Sequence, residues 1–137
     1  MDFSNRHVVV TGGTGALGTA LVGALLERGA TCHVPHRSEA AAKSFPHRGS
    51  PRVMLYPNVE LTDEKHVADL FGAISTLWAS IHVAGGFAAD ALTKTAKATL
   101  MQQLDTNLVS CFLCCRAAVN AIARGKDGGR IVNVAAR

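Results

Sequence analysis

At 137 residues the chain has the length of one domain with a single hydrophobic core. Hydrophobic residues make up 48% and charged residues 18%, which excludes a disordered chain, and with only 5% aromatics the core must be aliphatic. The net charge of +4 is mild and its Lys and Arg form no stripe, the N-terminus lacks a signal-like pattern, and no stretch reads as a membrane span of about 20 apolar residues; nucleic acid and membrane are therefore not expected partners, and a cytoplasmic setting is the default.

His7 to Thr11 is a β-branched run that opens directly into glycines, the pattern of a buried strand entering a tight turn. Leu17, Ala20, Leu21, Ala24 and Leu25 then recur at helical steps, with Gly29 placed to end that helix. Thr31 to Val34 reads as the second strand, and Ser38 as the cap of a helix through the alanines that follow. Arg52 to Tyr56 is the third strand; Thr62 is expected to cap the next helix, with Asp63 and Glu64 at its positive end and Val67, Leu70, Phe71 and Ile74 on one face. Ile81 to Ala84 is the fourth strand. A long helix is expected over Ala98 to Ala123, with Leu104, Leu108, Cys111, Phe112, Cys115, Val119 and Ile122 along its apolar side, before Gly125 ends it and Arg130 to Val134 forms a fifth strand.

Strict alternation of strands and helices calls for an α/β fold, a Rossmann-type doubly wound parallel sheet of order 3-2-1-4-5, with a ligand crevice at the carboxyl ends of the strands where the winding reverses. Residues 1–137 then form one NAD(P)-binding domain. Gly13, Gly15 and Gly18 form a G-x-G-x-x-G pattern between a strand and an apolar-periodic helix, the context in which that pattern carries meaning. The turn Gly12, Thr14, Gly15, Ala16, Leu17 and Gly18 is assigned to a cofactor pyrophosphate, approached by backbone N–H groups and the helix N-terminus.

Over essentially its whole length the chain resembles the short-chain dehydrogenase/reductase family. That family places cofactor-selecting residues after the second strand, an adenine-contacting acid after the third, an Asn-Ala-Gly segment after the fourth and an Asn within the following long helix. Here these places hold His36-Arg37-Ser38, Glu60-Leu61, Val83-Ala84-Gly85 and Asn107. Ala16 stands at the usual second glycine of T-G-x-x-x-G-x-G and Val83 at the frequent Asn; with VAGGF this looks like the dihydropteridine-reductase-like branch. TGGTGALG also fits T-G-x-x-G-x-x-G of the longer-chain branch that includes epimerases, which the later segments fit less well.

Neither His36 nor Arg37 is acidic, so nothing there is placed to accept from a ribose 2′-OH or repel a 2′-phosphate. Arg37, with Ser38, is expected to favour NADP(H), NAD(H) remaining possible; Arg37 stacked over adenine or in solvent is the alternative. Glu60 reaches for the adenine amino group with Leu61 beside the ring, or is a solvated carboxylate. Ala84 and Gly85 are small enough for close approach to the nicotinamide ribose. By resemblance Asn107 is the catalytic residue of this segment, holding a water in a proton relay; a helix-surface amide is the alternative.

The implied activity is hydride transfer to or from a small carbonyl, alcohol or C=N substrate, with a non-catalytic nucleotide sensor as the other class. The resemblance also implies a Tyr-x-x-x-Lys pair after the fifth strand, a serine near Ala135 or Ala136, and a homo-oligomer built on the long helix. The chain stops before such a pair and has Ala at both serine positions, so it is expected to be an incomplete domain, truncated after the fifth strand and inactive alone. Tyr56 has Glu60 four residues on and reads as structural. Cys32, Cys111, Cys114 and Cys115 read as reduced core thiols, and the six histidines show no metal-ligand spacing, so no metal is expected.

Overall fold

A computed structural model describes residues 2–135. Five parallel strands, β1 (His7–Thr11), β2 (Thr31–Pro35), β3 (Val53–Tyr56), β4 (Ala79–His82) and β5 (Arg130–Asn133), lie in the order β3-β2-β1-β4-β5. This is the doubly wound order read from the sequence. Its central strand carries Val8, Val9 and Val10 with no exposure, because helices cover both faces of a parallel sheet and leave neither side chain row to water. Val8 and Val10 face a core with Val22, Leu25, Val34 and Phe45; Val9, one residue out of phase, faces a second with Leu70, Phe71, Ile74 and Leu113.

Helix α1 (Ala16–Glu27) follows the glycine turn and closes through Gly29 at φ +92°, whose N–H donates to Leu26 O. Helix α2 (Glu39–Ser44) is capped by Ser38, whose hydroxyl accepts from the Ala41 N–H. The cap of α3 (Glu64–Gly72) is Asp63 rather than Thr62: its carboxylate accepts from His66 N at 3.0 Å, while the Thr62 hydroxyl donates to Glu60 Oε1 at 3.1 Å. A carboxylate gains more than a hydroxyl from the positive end of a helix, and Thr62 is already committed. Strand β4 begins and ends two residues before the expected Ile81 to Ala84. Its partner β1 stops at Thr11, opposite His82, and after one further bond from Val83 N to Thr11 O the chain peels away.

The long helix runs without a break over Lys97–Ala123 as α4 (Lys97–Leu104), a π-helical stretch Asp105–Val109 and α5 (Ser110–Ala123). Against the sequence expectation, it is long and apolar enough by length and composition to cross a membrane, with a mean hydropathy of 1.4 over its most apolar window. The core helix of a soluble protein passes the same test, and α5 docks on the sheet. The face it buries is also not the expected one. Ser110, Leu113, Cys114, Ala118 and Ala121 are buried, whereas Leu108, Phe112 and Val119 are 62%, 57% and 56% exposed. The helix carries two apolar stripes, and the one rich in Cys and Ala lets its backbone approach the strands closely; the bulkier stripe turns outward. Of the expected cysteine core, Cys32 and Cys114 are buried, and Cys111 and Cys115 are half-buried.

Three polar side chains cross the far half of the sheet as a ladder. His7 Nδ1 meets His33 Nε2 at 2.9 Å, and His33 Nδ1 meets Tyr56 Oη at 2.8 Å. Tyr56 is thus structural. Burial, with His7 nearby, pushes His33 down to about 4.

Candidate functional site

At the carboxyl ends of β1, β2 and β4 a crevice of about 450 Å³ opens where the winding reverses. Gly12, Thr14, Gly15, Ala16, Leu17, Gly18, His36, Arg37, Ser38, Glu60, Leu61, Ala84 and Gly85, all thirteen positions assigned to the cofactor from the sequence, line it. Asn107 does not, although its neighbour Thr106 does. Val83, named from the sequence as part of the segment after β4, also lines it, and Pro35, Val59, Thr62 and Ser110 line it without having been singled out. Ser110 had a signal, since it lies three residues after Asn107 and so on the same side of the helix.

The glycine turn is compact for a steric reason. Gly12 sits at φ +68°, and a Cβ there would lie 2.7 Å from Ala84 N and 2.8 Å from its Cα. A Cβ on Gly18 would lie 2.2 Å from Gly12 O, so the first turn of α1 folds directly over the loop. Gly15 caps α1 without a side-chain hydrogen bond and no acidic residue occupies the first turn. The first N–H groups of the helix are therefore left for an anion at the positive end of the dipole.

The end of β2 carries the other polar groups. His36 is buried, its backbone tied to Tyr56 and Val59, and its Nδ1 has no hydrogen-bond partner among the described residues. A buried ring nitrogen without a partner costs about 1–3 kcal/mol. Arg37 is exposed and donates from Nη1 to Glu60 Oε2 at 3.0 Å. Burial raises the Glu60 carboxyl, but hydrogen bonds from Arg37 and Thr62 together with the Arg37 charge outweigh it and hold the group below its usual value. Glu60 is thus paired with Arg37 as its counter-ion while lining the crevice. A guanidinium has five N–H donors, so this pair leaves others for a second anion.

Asn107 lies in the π-helical stretch and uses both ends of its amide on the loop after β4. Its Oδ1 accepts from Gly86 N at 2.9 Å, and its Nδ2 donates to Gly86 O and Gln103 O, each at 3.0 Å. A Cβ on Gly85 would come within 2.8 Å of that Oδ1. The amide clamps the floor of the crevice. Of the two family serine positions, Ala135 is exposed and Ala136 lies outside the described residues.

The sequence matches the family described as short chain dehydrogenase over residues 6–137. The uncharacterized oxidoreductase YgfF of Escherichia coli K12 is 30% identical over 138 aligned positions, covering 92% of this chain and 55% of that protein. A short-chain type dehydrogenase/reductase from Mycobacterium ulcerans superposes with a TM-score of 0.85 at 22% identity over 97% of this chain and 52% of its own. ElxO with NADP bound superposes with a TM-score of 0.83 at 23% identity over 93% of this chain and 54% of its own. The chain spans about half the length of these relatives.

Proposed function

Because the chain belongs to the short-chain dehydrogenase/reductase family, we propose that its crevice binds NADP(H) in preference to NAD(H) and serves hydride transfer to or from a small carbonyl, alcohol or C=N substrate. The observation that carries this reading is the pairing of an uncapped helix N-terminus with a cationic, acid-free end of β2 on one crevice. The residues fit the cofactor in three further ways: the glycine loop leaves its backbone open to a pyrophosphate, His36 Nδ1 lacks a partner, and the floor at Ala84 and Gly85 is bare of bulk. That ElxO, a neighbour in fold, was solved with NADP supports the choice of dinucleotide.

In this reading the N–H groups at the start of α1 hold the pyrophosphate, and Arg37 and Ser38 hold the 2′-phosphate, with Glu60 keeping the guanidinium oriented until the phosphate competes for it. Leu61 and Val59 supply an apolar wall for the base. The nicotinamide supplies hydride chemistry when bound, and the protein supplies orientation and proton handling. Asn107 is a positioning residue: through Gly86 it fixes the loop on which Ala84 and Gly85 lie. Self-association through the exposed stripe Leu108, Phe112 and Val119 belongs to the same proposal.

Fluorescence titration with NADPH and NADH tests the assignment. A hydrogen bond from an arginine to a phosphate is worth about 1.5–3 kcal/mol, so Arg37→Asp weakens NADPH by about 10–150-fold, while NADH is held or tightened by a carboxylate that accepts from its ribose 2′-OH. An unchanged NADPH-to-NADH ratio removes Arg37 from the assignment. Failure of the wild type to bind either dinucleotide overturns the function.

A further inference from the structure

Behind the crevice, the topology brings together three side chains that the oxidoreductase reading does not use. His82 ends β4; Cys111 and Cys115 stand one helical turn apart on α5, and the ligand atoms Nδ1, Sγ and Sγ all lie within 4.8 Å of one another. None of the three lines the crevice. We propose that His82, Cys111 and Cys115 form a binding site for a borderline-soft divalent cation of the zinc class, with two thiolates and one imidazole nitrogen as ligands.

The two nitrogen–sulfur distances suit a tetrahedral ion, and the two sulfurs lie within 4.8 Å of each other. Metal–sulfur bonds near 2.3 Å and metal–nitrogen bonds near 2.05 Å require N···S edges of about 3.6 Å and S···S edges of about 3.8 Å. Cys115 Sγ is 3.5 Å and Cys111 Sγ 3.9 Å from His82 Nδ1. The two N···S edges of the tetrahedron are therefore present to within about 0.3 Å. On the far side of the ring, His82 Nε2 lies 2.7 Å from the buried Ser80 Oγ. Without an ion Nδ1 donates to Asn133 Oδ1 and Nε2 accepts from Ser80 Oγ; on uptake the ring proton moves to Nε2, where Ser80 Oγ accepts it and the Nδ1 lone pair is freed for the ion, as outer partners of metal-bound histidines do. Asn133, paired with His82 in the register of β4 and β5, places Oδ1 2.8 Å from Nδ1 and 3.5 Å from Cys115 Sγ. It crowds Nδ1 and must retreat by roughly half an ångström to become a fourth ligand or yield to water.

Charge favours the same occupant. A divalent ion with two thiolates is neutral overall, which a half-buried position tolerates far better than a bare charge. Uptake of one ion converts two thiols to thiolates and releases two protons to solvent, with no change in oxidation state.

The test uses the purified full chain, stripped with a chelator and titrated with Co²⁺, whose thiolate charge-transfer absorption reports sulfur ligation. The wild type takes up one equivalent, releases two protons, and shows that absorption; Zn²⁺ displaces Co²⁺ and shields two thiols from alkylation. Cys111→Ser or Cys115→Ser weakens binding more than about 100-fold, beyond the about 10–100-fold that loss of an outer partner costs in Ser80→Ala. Cys114→Ala, on the core side of the helix, leaves it intact. Alkylation with and without Zn²⁺ on the wild type decides the question even where a variant fails to fold. No stoichiometric uptake, or uptake that persists in both Cys→Ser variants, overturns the proposal and leaves His82 as a hydrogen-bond partner of Asn133 beside two packed thiols.

Discussion

Replacing Gly12 by alanine tests whether the glycine turn is set by conformation alone or by contact with β4. Two costs are separable, because Gly128 shares the positive φ (+63°) yet a Cβ there meets nothing within 4 Å. Gly128→Ala therefore measures backbone strain, about 1 kcal/mol. Gly12→Ala carries that strain and drives a methyl to 2.7 Å from Ala84 N and 3.0 Å from Val83 C, backbone atoms that cannot rotate aside. Overpacking adds about 1–3 kcal/mol. A domain of 137 residues has an unfolding entropy near 290 cal/mol/K, so each kcal/mol moves Tm by about 3–4 °C. Calorimetry should show Gly128→Ala lowering Tm by about 3–4 °C and Gly12→Ala by about 7–14 °C. Equal shifts in the two variants would refute the claim that the turn is wedged against the chain leaving β4.

Phe71→Ala removes a side chain that is 2% exposed and should cost about 3–5 kcal/mol by urea denaturation; a loss below about 1 kcal/mol would mean that the second core closes over the void. Acid should weaken the fold through His33, faced by His7 and Tyr56. The unfolded residue takes its proton near 6.5 and the folded one only near 4, so stability is whole above 6.5 and falls by about 2 kcal/mol by pH 5. His82, likewise lowered by burial, adds in the same sense, so the check is the difference in pH slope between wild type and His33→Gln; equal slopes reject the assignment. Phe112→Glu, at 57% exposure, should leave Tm nearly unchanged and lower the mass seen by sedimentation; unchanged mass excludes this stripe from self-association.

The strand order and the crevice were legible because their signals are local. A β-branched run opening into glycines, a cap, or an acid after a strand each fixes backbone within a few residues, and the parallel topology then brings Gly12, His36, Glu60 and Ala84 to one end of the sheet. Choices settled by tertiary competition were less legible. The long helix has two apolar stripes, and periodicity selected the larger side chains, whereas close approach to the strands selected Cys114, Ala118 and Ala121. The same competition turned Cys111 and Cys115 toward His82, a meeting that no linear spacing announces. Thr62 lost the cap of α3 because Glu60, two residues earlier, had already engaged it.

The wedge of Gly12 against Ala84 also sets an order of assembly. As the chain is made, β1, β2 and β3 are complete by Tyr56, and the glycine turn with the start of α1 far earlier, yet the wall they lean on, Val83 and Ala84, follows directly on a strand that pairs with β1 in the register Val10 to Ile81. The connection from β3 to β4, residues 57–78 with α3 inside it, must close before any interaction across it forms. The crevice is thus incomplete until β4 has paired with β1. Under the proposed function, a dinucleotide would bind only chains in which β4 has docked and so would stabilise the finished sheet by mass action.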